Sequence, residues 1–352
     1  MSRKQPEKRI EYIDIAKGIG ILLVIIGHAF RDEMRVESGL AEFVYQLVYF
    51  FHMPLFFVIS GLTFGLSYGK YTKSPMQYVK RRVQTQFVPV LMYASVIYVC
   101  FFVAYQIPVF RQALSATGYQ MYPYPEYLKL SALQNNPYSI HLWYLWILFI
   151  FSNIAYFYFR WASHHRWADV VFAAGALILY PLAAACSMPA ILERICENLV
   201  YFAAGILLSS RHQISCKSQM AKAFTVFGWL FMLVYCVLCG IRYRMEHSVV
   251  FALCQLMANG WVIGSILRLS RKLGNCKPLL YCGRESYAIY LLHQPFCCGF
   301  VGVLLYNKFQ WPALVVYVLC CVLSILLPAA AVAICRRVKP IGKLAKFMFN
   351  LS

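Results

Sequence analysis

The sequence predicts an all-α, polytopic membrane protein of about ten transmembrane helices with both termini in the cytoplasm. Three observations lead there. Of 352 residues, 61% are hydrophobic and only 13% charged, against about 25% charged in ordinary soluble domains. Apolar runs long enough to cross a hydrocarbon core of about 30 Å recur along the whole chain, and the mean hydropathy is +0.60. Basic residues fall in short clusters between these runs, as on the cytoplasmic side of a multi-span protein. A disordered chain is excluded, and a soluble enzyme is disfavoured.

The runs lie at about 15–31, 41–66, 85–106, 141–159, 168–186, 197–209, 221–241, 248–267, 285–306 and 312–335. The first follows a polar, basic start with no small-residue cleavage pattern, which reads as an uncleaved span rather than a signal peptide. The sixth is short and extends toward Ile191 if Glu193 and Glu197 face a cavity or the outer boundary. The longest connection, 107–140, is rich in Tyr and Pro and suits an outward lid or a re-entrant segment. Residues 1–352 read as a single membrane domain, with cytoplasmic tails at 1–14 and 336–352. With the N-terminus inside, 24 of the 33 Lys and Arg residues fall on inner segments and 8 on outer ones, a strong positive-inside bias. Much of the net charge of +20 is therefore topology and anionic-lipid contact, with no nucleic-acid site.

Most of the 14 cysteines, among them Cys100, Cys186, Cys254, Cys297, Cys298, Cys320 and Cys321, sit in apolar runs, where Cys acts as a small hydrophobe. Cys236 and Cys239 have CxxC spacing, but a zinc site needs more ligands, and no metal is expected. Cys216, Cys276 and Cys282 lie in or beside basic loops, consistent with a reducing cytoplasm.

Ionisable residues inside spans cost about 2.5–3.5 kcal/mol or more, so each is a functional candidate. The first span carries Asp14, Lys17 and His28. Lys17 and His28 are eleven residues apart, about three helical turns, and so share a face about 16 Å apart. Asp14 and Lys17 are i,i+3 neighbours able to pair. The plain structural alternatives are that Lys17 snorkels inward and His28 caps the outer end. The second span, FFHMPLFFVISG, carries His52, with Ser60 deeper. Pro54 there frees a backbone carbonyl, and a broken helix is tolerated only against protein or a wet cavity. Lys80, Arg81 and Arg82 precede the third span at the inner face, suiting an anionic cofactor or simply marking topology. His141 and Trp143 fall where an outer aromatic belt is expected. In the ninth span Glu285 is near the inner boundary, and His293 lies about 12 Å deeper. A His is a plausible general base or acyl carrier. From spacing alone the chain holds a cavity that handles protons or acyl groups. A proton-coupled transporter or exporter of a glycan or small solute fits the same pattern.

The segments DIAKGIGILLVIIGH, FFHMPLFFVISG, HLWYLWIL, YFAAGILL and CGRESYAIYLLHQP, in this order, resemble the acyltransferase family 3 integral membrane proteins over about residues 10–335. The first resembles in particular the branch with fucose 4-O-acetylase-like and other sugar O-acetyltransferases. The resemblance implies a membrane O-acyltransferase of the inner (plasma) membrane. It would move an acetyl or other short acyl group from acyl-CoA, with acetyl-CoA as donor substrate, to a hydroxyl of a cell-envelope glycan or lipid-linked sugar. It implies His28 as the catalytic base or acyl carrier, with Asp14 and Lys17 organising the inner end of its helix. The family pattern has Arg where this chain has Lys17, so the charge is kept and the planar fork lost. The donor's phosphates would lie near Lys80, Arg81 and Arg82. Arg82 matches the first residue of an RxxR pair whose second Arg is absent, Thr85 and Gln86 standing there. His52, Ser60, Trp143, Tyr144, Glu285, Ser286 and His293 would line the cavity or orient the acceptor. No extracellular hydrolase domain follows the last span, so the membrane domain would reach its acceptor unaided or through a partner. The partners implied are membrane lipid and the glycan acceptor, and a homo-oligomer is allowed. A His base implies activity rising as imidazole loses its proton, near pH 6.5 for an unperturbed ring.

Overall fold

A computed structural model describes residues 10–71, 74–115, 120–133, 135–136, 139–162, 165–210, 228, 232–233 and 248–337. All regular structure among the described residues is helical. In chain order it comprises α1 (Glu11–Ala29), the short α2 (Asp32–Glu37), α3 (Gly39–Ser67), α4 (Pro75–Gln106), α5 (Pro108–Ser115), α6 (Tyr124–Ala132), α7 (Ile140–Trp161), α8 (Ala168–Ala185), α9 (Ala190–Ser210), α10 (Val249–Lys272), α11 (Lys277–Arg284), α12 (Ser286–Leu292, continuing as π-helix over His293–Val301 and Val303–Lys308) and α13 (Ala313–Arg337).

Seven of these are long and apolar enough to span a membrane, and eight if the bent α12 counts as one span. The sixth expected span lies within α9, which starts at Ala190 and carries Glu193, Arg194 and Glu197 in its first half. Its charged start keeps it out of the count, although Phe202, Ala203 and Ile206 are buried. The seventh expected span, with Cys236 and Cys239, lies outside the described residues except for 228 and 232–233; Cys216, residues 1–9 and residues 338–352 lie outside them as well. The third span is longer than its apolar run. The helix begins at Pro75 with Ser74 capping the Gln77 amide, so Lys80, Arg81 and Arg82 ride on helix and not on a loop.

Lipid exerts no hydrophobic force between helices, so a bundle is held by close packing and small residues. The core is built on α3 against α9. A Cβ on Gly61 would overlap the Phe202 carbonyl, and one on Gly205 the Val58 carbonyl. Phe57, Phe151 and Phe202 then fill the space between α3, α7 and α9, at ring separations of 5.3 and 5.6 Å. The opposite faces of α4, α8 and α13 expose Val99, Val103, Ile178 and Leu326, a distribution suited to lipid and costly in water.

One expectation about an irregular segment is corrected. Pro54 does not break its helix; α3 runs unbroken through it. Irregular turns fall instead in α4, where π-helix spans Val83–Phe87, and in α12, where π-helix starts at His293. Such turns often mark functional sites. The described residues of the 107–140 connection form α5 and α6 and pack on the C-terminal half of α4, with buried Tyr127 donating to the Ala94 carbonyl at 2.8 Å.

On the same side, α2 is held by ion pairs from Arg35 to Asp32 (2.9 Å) and Glu42 (2.7 Å) and from Arg31 to Glu33 (3.2 Å). Burial pushes the Glu33 carboxyl up, but a backbone hydrogen bond, Arg31 and Asn307 outweigh it and hold the group below its ordinary value.

Candidate active site

Four helices converge their histidines on one point. His28 comes from the last turn of α1, His52 from α3, His141 from the start of α7 and His293 from the turn where α12 becomes irregular. Ring centroids are 5.2 Å apart for His28 and His293, 6.3 Å for His28 and His52, and 6.1 Å for His141 and His293. His52, His141 and His293 are buried, and His28 is partly accessible.

Hydrogen bonds fix two of the rings. His52 Nδ1 meets the Val48 carbonyl at 2.9 Å, and His293 Nδ1 meets the Ile289 and Tyr290 carbonyls at 3.0 and 2.8 Å. A carbonyl only accepts, so in both rings the proton is assigned to Nδ1 and Nε2 offers a lone pair. His28 Nδ1 meets the Tyr49 hydroxyl at 2.7 Å, and Tyr49 is in turn hydrogen-bonded to Tyr45. If Tyr49 donates to Tyr45 and accepts from His28 Nδ1–H, then Nε2 of His28 is the basic nitrogen. Such a partner sets the orientation and tautomer of a catalytic imidazole. On the acyl-transfer reading that the family resemblance implies, Tyr49→Phe should lower kcat about tenfold, the order expected for losing a bond worth ~0.5–1.5 kcal/mol net, with donor affinity unchanged; steady-state kinetics check it.

Two cavities lie near this cluster. The smaller, ≈ 230 Å³, is lined by His28, Tyr49, His52, His141, Trp143, Glu197 and Tyr201 among others. The larger, ≈ 740 Å³, is lined by Asp14, Lys17, Ser60, Arg82, Gln86, Tyr144, Arg284 and Ser286 among others. Met53 and Tyr290 line both. Tyr290 is fixed by its hydrogen bond to the His141 carbonyl, and Tyr144 by a 2.7 Å bond to Ser60. Arg194 lies 4.8 Å over the Trp143 ring, at the wall of the smaller cavity.

The sequence candidates divide between these cavities. His28, His52 and Trp143 line the smaller, and His293 stands beside His28. Lys17, Arg82, Asp14, Ser60, Tyr144 and Ser286 line the larger. The Asp14–Lys17 pair is present at 3.8 Å. Lys80 and Arg81 are exposed on the same helix as Arg82, outside the cavity lining. Glu285 is buried and held by Arg336 at 2.7 Å, away from both cavities. Sequence reasoning missed His141, Tyr49, Tyr290 and Arg284 as lining or neighbouring residues, and of its two readings of Glu197, cavity or outer boundary, the cavity lining includes it. Tyr49 and Tyr290 each stand three residues before a candidate His, on the same helical face, which is a signal the sequence did carry. His141 was read as part of an aromatic belt, and nothing local marked it otherwise. Among the described residues, no group of three or more His, Cys, Asp or Glu could hold a metal ion.

The bundle thus gathers four imidazoles at a small cavity that neighbours a larger, cation-rimmed one. Residues 10–333 match the model of acyltransferase family 3, described as an acyltransferase domain, and the chain belongs to that family. It is a multi-pass membrane acyltransferase, and the transporter reading is not favoured. No curated protein and no solved structure matches the chain.

Proposed function

We propose that the protein transfers an acetyl or other short acyl group from acyl-CoA, acetyl-CoA in the first instance, to a hydroxyl of a cell-envelope glycan or lipid-linked sugar. In this reading it belongs to the fucose 4-O-acetylase-like branch of sugar O-acetyltransferases. It sits in the inner (plasma) membrane with ten spans and both termini cytoplasmic. One observation carries the reading: His28 faces a small cavity that shares Met53 and Tyr290 as lining residues with a large cation-rimmed one.

The donor occupies the larger cavity with its thioester toward Tyr290. The acceptor hydroxyl enters the smaller one. Nε2 of His28 takes the hydroxyl proton as the oxygen attacks the thioester carbonyl. The C–O bond forms, the C–S bond breaks, and the imidazolium returns its proton to the departing coenzyme A thiolate. Only neutral His28 is competent, so kcat rises with pH along a limb that a His28 variant lacks.

The smaller cavity lies below the ~300–1,000 Å³ usual for drug-sized ligands, which suits one sugar ring rather than an oligosaccharide chain. Trp143 and Tyr201 offer ring faces, and Glu197 offers a carboxylate to accept hydroxyl protons.

The function itself is tested by incubating detergent-purified protein with acetyl-CoA labelled in the acetyl group and a panel of glycosides. Acceptor-dependent release of coenzyme A, with label on the sugar, is expected. Absence of both, with donor and acceptor in excess, would overturn the proposal.

A further inference from the structure

The inner rim of the larger cavity is assembled from distant parts of the chain. Asp14 and Lys17 come from the start of α1, Arg82 from the first two turns of α4, and Arg284 is the last residue of α11. Glycine packing holds them together. A Cβ on Gly283 would overlap the Asp14 carbonyl, and a Cβ on Gly18 would overlap the Leu279 carbonyl. The backbones of α1 and α11 therefore touch, and Arg284 is fixed beside Asp14.

Among the described residues, the lining holds one carboxylate, Asp14, and three cations, Lys17, Arg82 and Arg284. Asp14 stands 3.8 Å from Lys17 Nζ and 3.9 Å from Arg284 Nε. Both separations exceed hydrogen-bond range, and Asp14 Oδ2 has no hydrogen-bond partner. The Arg284 side chain is 45% exposed, so its fork remains accessible. The Arg82 guanidinium lies 5.0 Å over the ring of Tyr78, itself buried and stacked on Tyr156 at 3.9 Å. Lys17 and Arg284 flank one carboxylate, and Arg82 adds a second guanidinium to the same cavity lining, an arrangement suited to an anion. Guanidinium favours phosphate oxygens through paired N–H donors.

We propose that Arg284, with Lys17 and Arg82, binds the phosphates of the acyl-CoA donor, and that Asp14 holds the cations apart in readiness. This rests on the acyl-CoA reading above and adds a binding residue from α11 that lies some 200 residues from the basic run before the third span. Arg284 supplies at the rim a second guanidinium, which Thr85 and Gln86 cannot.

The test compares two donors sharing one thioester. Acetyl-CoA carries the diphosphate and the ribose phosphate; acetyl-pantetheine carries neither. In the wild type the ratio of kcat/KM for acetyl-CoA over acetyl-pantetheine should be large. Arg284→Gln should collapse it at least tenfold, as expected for one charge-assisted bond of ~1.5–3 kcal/mol, chiefly through KM for acetyl-CoA. Arg284→Lys, which keeps the charge and loses the fork, should retain more of the ratio than Arg284→Gln, and it serves as the folded control. An unchanged ratio in Arg284→Gln, or equal loss with both donors, would overturn the assignment while leaving the acyl-CoA reading intact. Wild type that neither binds coenzyme A nor turns over acetyl-CoA would overturn that reading, and the assignment with it. A lipid phosphate is the other source of the same chemistry. If Arg284→Gln alters retention of phosphatidylglycerol in mixed-lipid nanodiscs and not coenzyme A affinity, the site belongs to lipid and the proposal fails.

Discussion

Replacing His28 with alanine should lower kcat by about 10²–10⁴-fold, the range a positioned general base contributes, while acetyl-CoA still binds within about twofold of wild type. The split follows from geometry. His28 lines the smaller cavity and not the larger, so in the proposed mechanism its loss removes the base and leaves in place the residues proposed to hold the donor's phosphates. The variant should also lose the pH-dependent limb of kcat. His52→Ala and His293→Ala make an instructive contrast. Each of those rings donates Nδ1–H to the carbonyl of its own helix, so each is oriented by its backbone, whereas His28 is oriented by Tyr49 from α3. Their removal should cost less in kcat than that of His28 if His28 alone exchanges the proton. Equal losses at all three positions would mean that the imidazoles act as a relay. Stopped-flow release of coenzyme A, with donor binding measured separately by calorimetry, gives both numbers. A His28→Ala enzyme with near-normal kcat would remove His28 from the chemistry.

What was legible in the sequence was whatever one helix carries by itself. The apolar runs mark the spans, and the eleven-residue step from Lys17 to His28 places both on one face, so Asp14 and Lys17 are paired where i,i+3 spacing puts them. The ordered motifs mark the family that residues 10–333 match. What was not legible depends on which helices touch. His141 opens α7 in a stretch indistinguishable from an interfacial belt, and only the approach of α12 makes it a neighbour of His293. Arg284 looks like one more inner-face cation until Gly283 is seated on Asp14. Glu285, adjacent to it and acidic at membrane depth, was expected in the cavity; its partner Arg336 comes from the far end of α13, and no local pattern foretells that pairing. Pro54 is the converse. Its sequence signal is strong, yet the surrounding packing keeps α3 continuous.

Gly283→Ala should lower the detergent melting temperature and weaken acetyl-CoA binding together. An added Cβ meets the Asp14 carbonyl well inside contact distance, and the obstacle is backbone rather than the end of a flexible side chain. Overpacking of this kind costs about 1–3 kcal/mol, because α11 must withdraw from α1. That withdrawal carries Arg284 away from Asp14 and Lys17, so stability and donor affinity fall through one movement. Gly18→Ala strikes the same contact from the other side, against the Leu279 backbone. If both variants act by parting α1 from α11, the double variant should lose clearly less than the sum of the two, since the second Cβ meets a gap already opened; residues sharing a contact are coupled in this way. Gly260 and Gly264 on α10 give the contrast, since a Cβ at either has no atom within 4 Å. Alanine there should be neutral or stabilising by up to about 1 kcal/mol through helix propensity alone. Additive losses at Gly18 and Gly283, or a Gly283→Ala protein that melts lower but keeps full affinity for acetyl-CoA, would separate helix packing from the donor site and detach Arg284 from the role its neighbour's close approach gives it.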